Sequence, residues 1–159
     1  MFSGTAQGAA REAQRELAER WGIGAELWSA TNYKAMREDA LEVERWNRLH
    51  PTEEPRTAFV TSQLEQSHGP IVAVSDFMRA VPEQVARFSP RRFNVLGTDG
   101  MGRSDTREAL RSFFETNAEH IVVAVLEQLA ADGSVDRSVV AEAVQAYELD
   151  TDSTPPWQR

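Results

Sequence analysis

Two kinds of apolar pattern alternate along this chain. Short β-branched or aromatic runs give way to longer stretches in which apolar residues recur every three or four positions. Residues 1–4 read as the end of a strand, with Ser3, Gly4 and Thr5 forming a small-residue turn. Residues 6–20 are rich in Ala, Gln, Glu, Arg and Leu and predict a helix that Gly22 closes. Residues 25–30, AELWSA, read as a short strand. Thr31 or Asn32 then caps a second helix over about 33–48, with Met36, Ala40, Leu41 and Val43 as its apolar positions. Pro51 and Pro55 stop that helix and make 50–56 a linker. TAFVTS, 57–62, predicts a strand, and 63–69 a polar loop or one helical turn. PIVAVS, 70–75, is continuous, apolar and β-branched, the pattern of a central strand buried on both faces. Residues 76–88 predict a helix interrupted at Pro82.

The stretch 92–116, RFNVLGTDGMGRSDTREALRSFFET, organises the remainder. Phe93, Val95 and Leu96 form an apolar strand that ends at Gly97. Three glycines then fall within six residues, at 97, 100 and 102. Ser104 and Asp105 offer an N-cap, and Asp105 with Glu108 makes a capping-box-like pair for a helix bearing Leu110, Phe113 and Phe114. Thr116 and Glu119 form a capping box for a helix over about 117–131, closed at Asp132-Gly133. Asp136 or Ser134 starts a last helix with Val139, Val140, Ala143, Val144 and Tyr147. These two helices read as a hairpin appended to the sheet. The tail from Asp150, with Pro155 and Pro156, reads as disordered, leaving 1–150 as one domain. Strand alternating with helix predicts an α/β layer fold with a parallel sheet.

Composition narrows the function classes. A length of 159 residues suits a single domain with a real core. A net charge of -8 argues against general nucleic-acid binding and against anionic membranes, because both need clustered Lys and Arg. There is no cysteine, so disulfides and thiol chemistry are excluded, and a reducing cytoplasm is compatible. No apolar run has the length to span a bilayer, and the first residues lack the basic start and apolar block of a signal peptide.

Candidate chemistry is sparse. The strand–loop–helix junction at 97–105 has two readings. In one, the loop backbone and Arg103 hold an anion at a helix N-terminus. In the other, the glycines only permit a tight connection. The glycine spacing matches neither a dinucleotide fingerprint nor a phosphate loop. Asp76 and Asp99 both follow apolar strands and are candidates for catalysis, metal binding or turn capping. His50 fits a helix C-terminus, His68 lies in a polar loop as a candidate acid or base, and His120 gains no role in a helix first turn. Ser3, Ser62 and Ser75 lack a nucleophile-elbow context. Trp28 and Trp46 read as core or interface residues.

Taken in order, WGIGAELWSATNYKAMREDALEVERWNRLHP, GPIVAVSDFMRAVPEQV and FNVLGTDGMGRSDTREALRSFFETNAEHIVVAVLEQLAADGSVDRSVVAEAV resemble the C-terminal domain of the homodimeric pyruvate dehydrogenase component. ERWNRLHP (Glu44 to Pro51) and LGTDGMGRSDTREALR (Leu96 to Arg111) carry the resemblance most specifically, with Met101 standing where the family usually has an aromatic. The resemblance implies a transketolase-like C-terminal fold: a mixed, mostly parallel sheet of about five strands with helices on both faces. It implies that thiamine diphosphate and magnesium are held by other domains of the whole enzyme, and none by this chain. It implies as partners the upstream domains, a homodimer mate and the dihydrolipoyl acetyltransferase component, in the cytoplasm. Met1-Phe2 then reads as the end of a cut first strand. The resemblance carries no catalytic residue onto this chain. Its candidate interface and loop residues are Gly97, Asp99, Gly100, Gly102, Arg103 and Asp105. The competing readings are a free-standing module for a small anion or peptide, and the same domain of another 2-oxo acid dehydrogenase or transketolase.

Overall fold

The structure is a computed structural model that describes residues 1–159. A small parallel sheet lies at its centre. β1 (Ile71–Val74) and β2 (Phe93–Leu96) pair in parallel, with Ile71 opposite Phe93 and Val74 opposite Leu96. On the other side of β1, Phe2 bridges both Val74 and Ser29, again in parallel. The lateral order is therefore 29, 2, β1, β2. The sheet expected at about five strands is thus two strands extended by single-residue bridges.

Side chains alternate across this sheet, as a strand's period of two requires. Phe2 and Val74 point into one core with α1 (Gln7–Trp21), α6 (Ala118–Ala131) and α7 (Arg137–Ala146). Ile71 points into a second core with α2 (Tyr33–Leu49) and α3 (Phe59–Leu64). Helices on both faces follow from a central strand that is buried at all four positions. In α1 the buried stripe is Ala9, Ala10, Ala13 and Leu17, and its small side chains let α6 approach closely with Ile121, Val122 and Leu126. Gly22, at φ +66, closes α1 as its sequence position predicts.

Several elements differ from the sequence reading, each for a local reason. Residues 57–62 do not form a strand. Asp39 Oδ2 accepts the Phe59 N–H at 2.7 Å, and Val60 and Leu64, four apart, are the buried positions of α3. The helix expected over 76–88 is reduced to α4 (Ala80–Glu83) and a 3₁₀ turn at Ala86–Phe88. Pro82 has no N–H to give and its ring excludes a carbonyl four residues back, so it is tolerated only in a first turn. The last two helices are not an appendage. α6 packs on α1 and on both strands, and α7 rides on α6 through the fully buried Ala143.

Two N-caps fall one residue later than expected. Thr106, not Asp105, caps α5 (Arg107–Phe113), accepting the Ala109 N–H at 3.3 Å. Asn117, not Thr116, caps α6 through His120 N–H at 3.3 Å. The second shift has a cause. Thr116 N–H donates to Arg111 O at 2.9 Å and Glu115 N–H to Ser112 O at 3.2 Å, the paired bonds of a Schellman closure that ends α5. Thr116 is occupied by that closure, and Glu115 takes its left-handed position at φ +58. Such a position favours glycine. Glu115→Gly is expected to raise stability by about 1 kcal/mol in denaturant unfolding. A loss of stability would mean that the Glu115 side chain contributes more than its strained backbone costs.

The ERWNRLHP segment is a structural clamp. Asn47 Nδ2 donates to Arg56 O at 2.9 Å and Asn47 Oδ1 accepts the Arg56 N–H at 2.8 Å, tying down the proline linker. His50 stacks on Trp46 at 4.4 Å and holds the Trp46 carbonyl through Nδ1 at 2.8 Å, and the Arg56 guanidinium lies over the Trp46 ring at 3.8 Å. Glu44 pairs with Arg87. His50 therefore serves the end of α2. Asn47→Ala removes both bonds and is expected to cost about 1–2 kcal/mol in thermal unfolding. An unchanged midpoint would show that stacking on Trp46 holds the linker alone.

Candidate functional site at the carboxyl edge of the sheet

Residues 3–5, 75–79 and 97–100 leave the sheet at its carboxyl edge, where α/β folds place their ligands and partners. Ser3 Oγ donates to Ser75 Oγ at 2.8 Å, both side chains buried, and Ser75 Oγ accepts the Phe77 N–H at 3.0 Å. These bonds turn the chain sharply after β1. Thr5 Oγ1 donates to Asp76 Oδ2, and Arg111 Nη2 donates to Thr5 O at 2.5 Å.

The loops after β1 and β2 interlock. Thr98 N–H donates to Phe77 O at 3.0 Å and Thr98 Oγ1 to Asp76 O at 2.7 Å. Asp99 Oδ1 accepts the Arg79 N–H at 3.0 Å, and its Oδ2 lies 3.5 Å from Arg79 Nε. Gly97 makes this crossing possible. A Cβ there would stand 2.7 Å from Phe77 O and 2.9 Å from Arg79 N, both backbone atoms. Gly100, at φ +108, has Pro156 O and Trp157 Cα against the same vacant position, at 2.7 and 2.9 Å. Gly102 faces open space and needs no such freedom.

The tail, read from sequence as disordered, folds back onto this loop. Pro156 is buried and Trp157 receives the Arg79 guanidinium at 5.0 Å from its ring. Two prolines narrow the tail's conformations, so docking it costs less entropy than its composition implies. Arg103 lies 4.2 Å over Phe113, and Arg159 lies 5.2 Å from the same ring. Asp105 Oδ1 accepts the Thr106 N–H at 2.7 Å. Arg103 and Asp105 thus serve the chain's own loop and helix start.

The sequence candidates separate accordingly. Asp76 and Asp99 share the carboxyl edge but take different partners, Thr5 and Arg79. His68 lies at the opposite, amino edge, beside Gly69 and Pro70 in the wall of an apolar cleft. His120 is half-buried in α6. Its burial lowers its pKa, against the opposing pull of Glu115 and Glu119. Trp28 lines the amino-edge cleft, with Nε1 donating to Glu26 at 3.0 Å, and Trp46 belongs to the clamp. No three His, Asp or Glu side chains converge as metal ligands. An open cleft beside the interlocked loops brings Arg107 and Arg111 together with Asp76 and Asp105, so its charges balance. These residues do not fit a magnesium-bound diphosphate, which needs converging oxygen ligands and uncompensated cations.

Sequence reasoning missed the residues that stand out at this edge. Phe77, Met78 and Met101 are exposed at 56%, 56% and 77%, and Trp157 at 49%. All four lie on the two loops or on the tail docked against them. Large apolar side chains exposed at one edge make it a candidate interaction surface. The available signal was the Phe77-Met78 pair, apolar yet placed immediately after a strand end.

The match to known families agrees with this architecture. Residues 1–117 match the transketolase-like TK C-terminal domain. The pyruvate dehydrogenase E1 component of Mycobacterium tuberculosis is 44% identical over 158 residues, which are 99% of this chain and 17% of that protein. The protein of the same name from Pseudomonas aeruginosa is 43% identical over 155 residues, 97% of this chain and 18% of its own length. That from Cupriavidus necator is 44% identical over 140 residues, 88% and 16%. The chain spans about a sixth of the length of these relatives. No helix is long and apolar enough to cross a membrane. With a parallel sheet clothed on both faces and relatives of one name along nearly its whole length, the chain belongs to the transketolase-like C-terminal domain family, on the side of the pyruvate dehydrogenase E1 components.

Proposed function

We propose that this chain is the C-terminal part of a pyruvate dehydrogenase E1 subunit and serves it by packing. The whole enzyme decarboxylates pyruvate with thiamine diphosphate and magnesium held by other domains. It then reductively acetylates the lipoyl group of the dihydrolipoyl acetyltransferase component, in the cytoplasm. This chain supports the upstream domains and the homodimer and supplies no catalytic group. The supporting observation is the apolar set Phe77, Met78, Met101 and Trp157 on interlocked loops. Gly97, Asp99 and Gly100 fix those loops from within, and Gly102, Arg103 and Asp105 continue the same surface. Rigid presentation matters, because a preformed apolar surface loses little entropy on association.

A chimaera tests this reading. This chain replaces the matching region of the Mycobacterium tuberculosis E1 component, with which it shares 44% identity over 158 residues. The chimaera is expected to dimerise and turn over pyruvate. Met78→Asp with Met101→Asp in that chimaera is expected to weaken assembly, because a buried unpaired carboxylate costs several kcal/mol. A chimaera that assembles but never turns over pyruvate contradicts the assignment. Undiminished assembly of the double variant contradicts the placement of the interface.

A further inference from the structure

α5 presents one face to an unfilled space. None of its residues is buried, yet Arg107, Leu110 and Arg111, with Phe114 just past its end, follow the three-and-four spacing of a single helix face and line one open cleft of about 440 Å³. Thr5, Asp76, Asp105 and the buried Thr116 help to line it from the sheet edge and the two ends of the helix. The charges gathered here do not meet. The chain's ion pairs leave out Arg107, Arg111, Asp76 and Asp105 alike. Arg111 Nη2 is spent on Thr5 O at 2.5 Å, whereas the Arg107 side chain has no partner within the chain. Asp76 takes the Thr5 hydroxyl on Oδ2, and Asp105 takes the Thr106 N–H on Oδ1 at 2.7 Å, so one oxygen of each carboxylate stays free. Thr116 Oγ1 is buried with no hydrogen-bond partner, although buried hydroxyls are as a rule paired.

Two cations and two carboxylates that share a cleft without touching select a ligand by its charge pattern. An ion of one sign is drawn by one pair and repelled by the other, so it gains little. A small molecule that carries both signs on neighbouring atoms meets both pairs at once. Leu110 and Phe114 add an apolar strip to the same cleft, of the kind that receives a hydrocarbon side chain. We propose that the cleft under α5 binds a free α-amino acid with an apolar side chain. Its carboxylate takes the unspent guanidinium of Arg107, whose planar fork suits two oxygens. Its ammonium group donates to the free oxygens of Asp76 and Asp105. Its side chain lies along Leu110 and Phe114, and the Thr116 hydroxyl is the buried group left to take up a further bond. The site goes beyond the packing role and does not rest on it, because Phe77, Met78, Met101 and Trp157 all lie outside its lining.

The test titrates the 159-residue chain with L-leucine, L-methionine and L-phenylalanine in turn, reading heat and the amide NMR signals of Thr5, Asp76, Arg107 and Thr116. At least one of the three is expected to bind saturably, with a dissociation constant of about 1 mM or lower, and to shift those four signals. Two stripped probes separate the charges. 4-Methylpentanoate keeps the carboxylate and side chain of leucine without its ammonium group, and 3-methylbutan-1-amine keeps the ammonium group without the carboxylate. Each is expected to bind about tenfold or more weakly than the amino acid. Arg107→Gln is expected to weaken amino-acid binding by about tenfold, and it leaves the fold intact because Arg107 is exposed and holds nothing else in the chain. No saturable response to any of the three amino acids up to about 20 mM overturns the proposal. So does equal binding of the stripped acid, which would make the cleft a plain anion site, and so does an Arg107→Gln variant with unchanged affinity. The outcome is independent of the chimaera, since neither pyruvate turnover nor assembly enters the readout.

Discussion

Gly97→Ala is expected to cost about 3 kcal/mol. The added methyl group meets Phe77 O at 2.7 Å and Arg79 N at 2.9 Å, and both are backbone atoms that cannot rotate away. Moving them breaks the Thr98 N–H bond to Phe77 O and the Asp99 bond to Arg79 N–H, so the two loops separate. Gly102→Ala is the control, because open space surrounds that position. The measurement is denaturant unfolding of both variants beside the parent chain, with the slope checked for constancy. A Gly97→Ala variant as stable as Gly102→Ala would mean that the loops do not interlock. The stability lost here also bears on function, because these loops present Phe77, Met78 and Met101 for docking.

The second large effect is a loss of stability in mild acid. In the folded chain the Met1 amine has its pKa lowered from 8.0 to about 6 by burial. Between those values the unfolded chain binds a proton that the folded chain does not, so stability rises with pH across this window and falls as pH drops through it. A shift of this size corresponds to about 2–3 kcal/mol, present in full above pH 8 and gone below pH 6. His120 acts in the same direction at lower pH, since burial also lowers its pKa. Unfolding midpoints from pH 8.5 to 5.5 are expected to fall steadily. Acetylating the amino terminus is expected to abolish the upper part of that fall and leave the His120 part. A midpoint unchanged from pH 8.5 to 6.5 would mean that the amine reaches water.

Much of the frame was legible in the sequence because single-element signals were strong. PIVAVS read as a strand buried on both faces, Gly22 closed α1, and Asn32 and Asp136 were each one of the two caps the sequence offered for their helices. The misreadings arose where a distant residue decided the local outcome. TAFVTS became α3 because Asp39, twenty residues earlier, accepts the Phe59 N–H. Thr116 lost its capping role to the end of the preceding helix. The tail's own Trp157 ring docks against the guanidinium of Arg79, far earlier in the chain. The strand count was overstated because segments 1–3 and 28–30 each contribute only a bridge.

The candidate site was legible in its glycines but not in its surface. Gly97 and Gly100 stood out by spacing, and a Cβ at either position would meet backbone atoms within 3 Å. Asp99 was visible as a residue following a strand, yet its pairing with Arg79 depends on how two loops cross. Arg103, the cation of the anion-binding reading, lies 4.2 Å over the Phe113 ring, a contact that no sequence pattern announced. His68 could not be placed without knowing which edge of the sheet its loop serves. It precedes β1 and so lies at the amino edge, away from Asp76 and Asp99.

The account's central claim is that this chain supports an E1 subunit without holding its cofactor. The most direct measurement is calorimetric titration of the 159-residue chain with thiamine diphosphate and magnesium, followed by an assay for carbon dioxide release from pyruvate. No saturable heat and no turnover are predicted. Saturable binding with turnover would contradict the account, and would place a working site among Thr5, Asp76, Arg107, Arg111 and Thr116 at the carboxyl edge.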